Sequence, residues 1–164
     1  MASGNTIADW TALNNEPPSS AYATNDVRNN HNVLDFDQST IEGSNFRKVL
    51  PRHYSSGNIV AYIHYSATGI TTGDVVWGVS FERISDSQQD IDADGFATEQ
   101  TVTTTVPGTD GHVKIASLTI TAGANTDNIA AGELFRVRVR RVANDGADTA
   151  AADAEFHALE LKEA

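Results

Sequence analysis

The stretch from Asn58 to Ile84, NIVAYIHYSATGITTGDVVWGVSFERI, decides the fold. It reads as two long antiparallel strands joined by a turn rich in Gly and Thr. In the first strand Ile59, Ala61, Ile63 and Tyr65 share one face, and Val60, Tyr62 and His64 share the other. In the second, Val75, Trp77, Val79 and Phe81 share a face, while Gly78, Ser80 and Glu82 point the opposite way. Successive strand side chains point to opposite sides, so period-two alternation of large apolar groups means a half-buried sheet. No other part of the chain is as dense in aromatic and β-branched residues.

Working outward, short segments of the same kind recur. Leu34 and Phe36 alternate with Asp35 and Asp37, and Asn45 to Leu50 ends at Pro51. Thr101 to Val106 is β-branched, which suits a strand. In His112 to Thr121, Val113 and Ile115 face one way and Leu118 and Ile120 the other, which predicts a bulge near Ala116 or Ser117. Glu133 to Val142 has the cleanest alternation, with Phe135, Val137 and Val139 inward and Arg136, Arg138 and Arg140 outward. Ala154 to Lys162 reads as a closing strand, because no N-cap box precedes it. About seven or eight such strands, separated by Gly, Pro, Asn and Asp loops, predict an all-β antiparallel two-sheet sandwich. Several loops exceed hairpin length, which favours Greek-key crossings; a jelly roll comes first and an immunoglobulin-like sandwich second.

Residues 1–32 differ from the rest. They are rich in Asn, Ser, Ala and Pro, and the spacing of Trp10, Leu13 and Tyr22 fits neither helix nor strand. The expected organisation is therefore an N-terminal arm, 1–32, and a sandwich domain, 33–164. Such a segment is either a frayed terminus or an extended arm across a neighbouring subunit, with Trp10 and Tyr22 as its anchors.

The 164 residues fit one domain, which at this size buries roughly 70% of the surface its unfolded chain exposes. There is no cysteine, so disulfide frameworks and thiolate metal sites are excluded. A net charge of −11 repels phosphate backbones, so neither nucleic acid nor an anionic membrane is an expected partner. No apolar run reaches the ~18 residues that span a bilayer. The first residues lack a basic region and an apolar core, so synthesis in the cytoplasm without a signal peptide is expected.

Few stretches offer chemistry. Asp90, Asp92 and Asp94, followed by Gly95, resemble the start of a calcium loop, with Asp86 as an outside ligand. The twelfth position is Thr101 where that loop wants Glu, and Glu99 comes two places early. A solvated acidic loop is the competing reading. The histidines, at 31, 53, 64, 112 and 157, show no helical zinc spacing, although two on strands, such as His64 and His112, can converge in space. No nucleophile elbow, P-loop or dinucleotide fingerprint occurs, and no enzyme activity is expected. Arg136, Arg138 and Arg140, with Arg141 beside them, form the one basic concentration. They either pair with carboxylates on an adjacent strand or form a subunit interface.

The runs VLDFDQSTIEGSNFRKVLPRHY, IVAYIHYSATGITTGDVVWGVSFERI, QQDIDADGF and ELFRVRVRRV together resemble small jelly-roll virion proteins of tailed bacteriophages. The resemblance implies a head decoration, or cement, protein on the outer capsid surface. Its partners would be the major capsid protein and itself, as a homotrimer or a dimer. Trp10, Tyr22, Arg136, Arg138 and Arg140 would then carry the contacts. The alternative is a tail- or fibre-associated module that recognises carbohydrate or another virion protein. A sandwich-type carbohydrate-active enzyme is a third class. No cofactor is expected beyond the calcium candidate.

Overall fold

The computed structural model describes residues 4–164. Its strands are β1 (Thr6–Thr11), β2 (Thr24–Arg28), β3 (His31–Phe36), β4 (Glu42–Val49), β5 (Ile59–Ala67), β6 (Asp74–Ile84), β7 (Gln100–Thr105), β8 (Lys114–Ile120), β9 (Leu134–Arg141) and β10 (Ala154–Glu163). They build two antiparallel sheets. One has the order β2-β3-β10-β5-β8, with β1 completing it against the far half of β10; the other has the order β4-β9-β6-β7. This is a jelly-roll sandwich, as the alternation predicted.

The stretch that decides the fold is not a hairpin, however. β5 lies in the six-stranded sheet between β10 and β8, and β6 lies in the four-stranded sheet between β9 and β7. Both are central strands with one strongly apolar face, and each needs a partner on both edges. They meet across the core, where the rings of Tyr65 and Trp77 pack edge to face at 5.4 Å. Alternation specifies which face is buried; it does not specify which strand is the neighbour.

The two inner faces interdigitate through aromatic rings. Phe36 stands on Trp77 at 5.1 Å and Phe46 on Phe156 at 5.4 Å across the layers, while Phe81 stacks on Phe135 at 6.3 Å within the four-stranded sheet. Arg141 is also in this interior. It follows the parity of Phe135, Val137 and Val139 and is fully buried. The 143–152 loop closes around it. Asp148 makes a two-point ion pair with its guanidinium, and the carbonyls of Phe36, Ala150 and Ala152 accept its remaining N–H groups.

Two further expectations are corrected. β8 runs in unbroken register along β5, with Ala116, Leu118 and Ile120 inward, so it has no bulge. Ile115 faces outward and Val113 precedes the strand, both about half exposed, which explains the apparent change of face. The described part of the expected arm is sandwich, too. β1 pairs with β10, β2 pairs with β3, and Ile7, Ala8 and Trp10 are buried. A register shift between Thr6 and Ala8 breaks the alternation there. β2 is a solvent-exposed edge with no alternation to read.

Candidate functional site

The outer face of the six-stranded sheet gathers Arg28, His31, Ser66 and His157. Asn29 and Asn30 link β2 to β3 as a two-residue hairpin, with φ of 46° and 65°. Asn tolerates this left-handed backbone, which matches the twist of the strands. The tight turn sets Arg28 opposite His31. From β10 comes His157. The register between β10 and β5 slips between Phe156 and Ala158, and this bulge turns His157 outward beside Ser66. His64 lies on the same face, opposite Ala158, and contributes to the electrostatic field at His157.

Two cavities of about 360 and 310 Å³ meet at His31 and His157. Thr11, Leu13, Asn30 and Asn32 line the first; Arg28, Asn29, Ser66 and Val113 line the second. Side by side on the outer face of the sheet, the two cavities form a groove lined by hydrogen-bonding groups. Leu13 at one end and Val113 at the other form apolar shoulders, and both are largely exposed.

The hydrogen bonds fix the state of the groove. Arg28 is held by Asp110 at 2.8 Å, by Glu155 and by the Ala67 carbonyl, and the two carboxylates, Asp110 first, raise its pKa. Ser66 Oγ lies 2.6 Å from Glu155 Oε2 and 2.8 Å from His157 Nε2. A hydroxyl has one proton, and a carboxylate only accepts. Ser66 therefore donates to Glu155, and His157 donates from Nε2 to Ser66. Nδ1 is left as the acceptor of a neutral imidazole. Burial pushes the His157 pKa down, and His31, Arg28 and His64 push the same way against Glu155. The trio is not a nucleophile and base, because the Ser66 proton points away from the imidazole.

Beside the groove, the Asp35 carboxyl is pushed up to about 6, first by burial and then by Asp26, Glu155 and Asp153. Its Oδ1 has no hydrogen-bond partner. A raised folded-state value favours the protonated form, so the stability it gives is full below the ordinary value near 3.8 and lost as pH rises past about 6. Asp35→Asn is expected to stabilise the protein at pH 8 by about 1 kcal/mol, allowing for partial solvent screening, and to change nothing below about pH 4. Melting temperatures across that range check this.

The residues singled out by sequence lie elsewhere. Trp10 is 5% exposed, packed on Phe46 and Phe135 of its own chain, and its indole N–H donates to the Arg47 carbonyl. It is a core residue, not an arm anchor. Tyr22 is 47% exposed and bridges to Gly43 at the edge of the four-stranded sheet. The arginines occupy the outer face of that sheet. Arg136 pairs with Glu82 and Arg140 makes a two-point pair with Glu99, within one chain. Arg138 instead lies 4.5 Å from the Phe96 ring. The 85–99 loop folds back to bring Phe96 and Glu99 over the sheet. Gly78 permits this, since a Cβ there would sit 2.4 Å from the Glu99 carboxyl. Asp90 Oδ1 caps the Asp92 N–H, and among the described residues no three carboxylate or imidazole groups converge on a metal position.

His31 and His157 do not read as a pair in the sequence, because only the strand order brings them together. The Asn29-Asn30 pair ahead of an apolar alternation was the available signal for the hairpin.

No protein-family model matches the chain, and no curated protein matches it by sequence. Solved structures do resemble it. A family GH115 4-O-methyl-α-glucuronidase, with specificity for decorated arabinogalactans, aligns with 99% of this chain at a TM-score of 0.55 and 7% identity. The carbohydrate-binding module CBM6cm-2 of Cellvibrio mixtus lichenase 5A, in complex with cellotriose, aligns with 98% at 0.51 and 11%. An exo-β-1,3-galactanase from Phanerochaete chrysosporium, with galactose, aligns with 96% at 0.50 and 11%. The chain spans 18% of the glucuronidase, 29% of the galactanase and 99% of the module. At these identities the likeness is one of fold.

Proposed function

We propose that this chain is a non-catalytic carbohydrate-binding module that takes a neutral glycan in the groove over the six-stranded sheet. The observation that carries the reading is that two neighbouring cavities share His31 and His157. Sugar hydroxyls both donate and accept, and the C–H faces of a sugar ring are apolar. The groove meets both needs, with Asn30, Asn32, Arg28 and the neutral His157 ring between Leu13 and Val113. Its open ends suit a chain passing through. The carbohydrate-active proteins that share the fold support the same reading. It takes up carbohydrate recognition and leaves the capsid role aside. Nothing among those neighbours favours a capsid, and Trp10 is spent inside its own core.

Binding to an array of neutral oligosaccharides tests the proposal. The double variant His31→Ala/His157→Ala is expected to lose at least about tenfold in affinity, the equivalent of about 1.4 kcal/mol, while melting close to the parent. Wild-type binding is also expected to weaken on acidification, because a protonated ring has no acceptor at Nδ1. The lowered His157 pKa places that loss below the ordinary histidine range. Binding unaffected by the double variant would remove the groove from the account.

A further inference from the structure

On the outer face of the four-stranded sheet, three arginines in a row have unequal partners. Arg136 and Arg140 each hold a carboxylate. Arg138, between them, has no ion pair or hydrogen bond among the described residues, and its Nε is buried with no acceptor. The same cross-strand row adds two more unsatisfied atoms. Asn45 on β4 and Ser80 on β6 flank Arg138 in register, and Asn45 Oδ1 and Ser80 Oγ are both buried without a partner. Native proteins pair nearly all such groups, and two of the three, Arg138 Nε and Ser80 Oγ, can donate to an anion. Burial and the neighbouring arginines lower the Arg138 pKa, the direction expected of a cation short of counter-charge.

A pocket of about 120 Å³ lies beside Arg138, whose guanidinium also packs on the Phe96 ring. Arg138 and Arg140 form one side, and Pro18, Ala21 and Ile41 give it apolar walls. Gly43 keeps the floor low, since a Cβ there would press within 3.3 Å of the Arg140 side chain. Tyr22, next in sequence to Ala21 and bridged to Gly43, has nearly half its surface exposed.

We propose that this pocket binds the carboxylate of a uronic acid carried on an otherwise neutral glycan. Arginine is suited to a planar carboxylate through paired N–H donors. The apolar walls and Tyr22 suit the C–H face of the attached ring. A net charge of −11 elsewhere repels a polyanion, so a single uronate at a branch or chain end fits and a polyuronate does not. The inference rests on the carbohydrate reading above but uses the opposite sheet.

Calorimetric titration of the full chain with glucuronate, glucose and acetate tests it. Glucuronate is expected to bind at least tenfold more tightly than either of the others. Arg138→Gln is expected to abolish that preference without lowering the melting temperature, because no protein carboxylate loses its partner. Equal binding of glucose and glucuronate, or a preference that survives Arg138→Gln, overturns the pocket. Acetate binding as tightly as glucuronate overturns the sugar. The two sites fail separately. A wild type that binds neutral oligosaccharides but does not prefer glucuronate loses the pocket and keeps the groove, whereas the reverse pattern loses the groove.

Discussion

Arg141→Met destabilises the protein by about 3–5 kcal/mol in this account, the largest effect expected of a polar substitution. The guanidinium is fully buried and tied to Asp148, which is itself enclosed and also accepts the Val76 N–H. Removing it strands a buried carboxylate and takes a donor from the carbonyls of Phe36, Ala150 and Ala152. The 143–152 loop would lose the contacts that fold it over the end of the sandwich. The melting temperature should fall by roughly 10 °C or more for a chain of this length. The double variant Arg141→Met/Asp148→Leu should recover part of the loss, because the stranded charge goes while the carbonyls stay unsatisfied. A thermal melt of both variants, with circular dichroism to follow the sheet, checks the ordering. A single variant within 1 kcal/mol of the parent would mean that the buried pair does not organise the loop.

Trp77 supplies the second large effect. It packs between Phe36 and Tyr65 at the centre of the sandwich and is fully buried. Trp77→Ala opens a cavity in both layers at once and is expected to cost about 3–5 kcal/mol. Trp77→Phe should cost much less. The indole Nε1 is buried without a partner, so its removal regains about 1–3 kcal/mol of desolvation against the lost packing. Urea unfolding separates the two variants. Equal losses would mean that a phenyl ring restores none of the packing and that removing the unpartnered nitrogen returns nothing.

The faces of the strands were legible and their partners were not. Ile59 to Tyr65, Val75 to Phe81 and Phe135 to Val139 bury the residues their alternation assigns inward. That period carries no information about which edge meets which, so β5 and β6 read as a hairpin although they face each other across the core. Parity also placed Arg141 inside, but a charged side chain beside three outward arginines hid it. The Asp148 loop that neutralises Arg141 becomes visible only in three dimensions. β1 escaped because a register shift interrupts its pattern, and β2 because an exposed edge strand has no apolar face.

The site was less legible than the fold. His31, His64 and His157 are far apart in sequence and gather through the order β3-β10-β5 and through one bulge at His157. Neither feature leaves a local signature. The arginine ladder was readable as a cluster; Arg136 pairs with Glu82 on the adjacent strand β6, whereas the partner of Arg140, Glu99, comes from the 85–99 loop. The break in that pairing at Arg138 depends on the 85–99 loop, which places the Phe96 ring and not a carboxylate against it.

Amide chemical-shift mapping during titration with neutral cello-, xylo- and galacto-oligosaccharides decides whether the outer face of the six-stranded sheet binds a glycan. The account predicts saturable shifts at Asn30, His31, His64, Ser66 and His157, on the outer face of the six-stranded sheet, from at least one of these glycans. Shifts confined to other surfaces, or none with any of them at millimolar concentration, would contradict it.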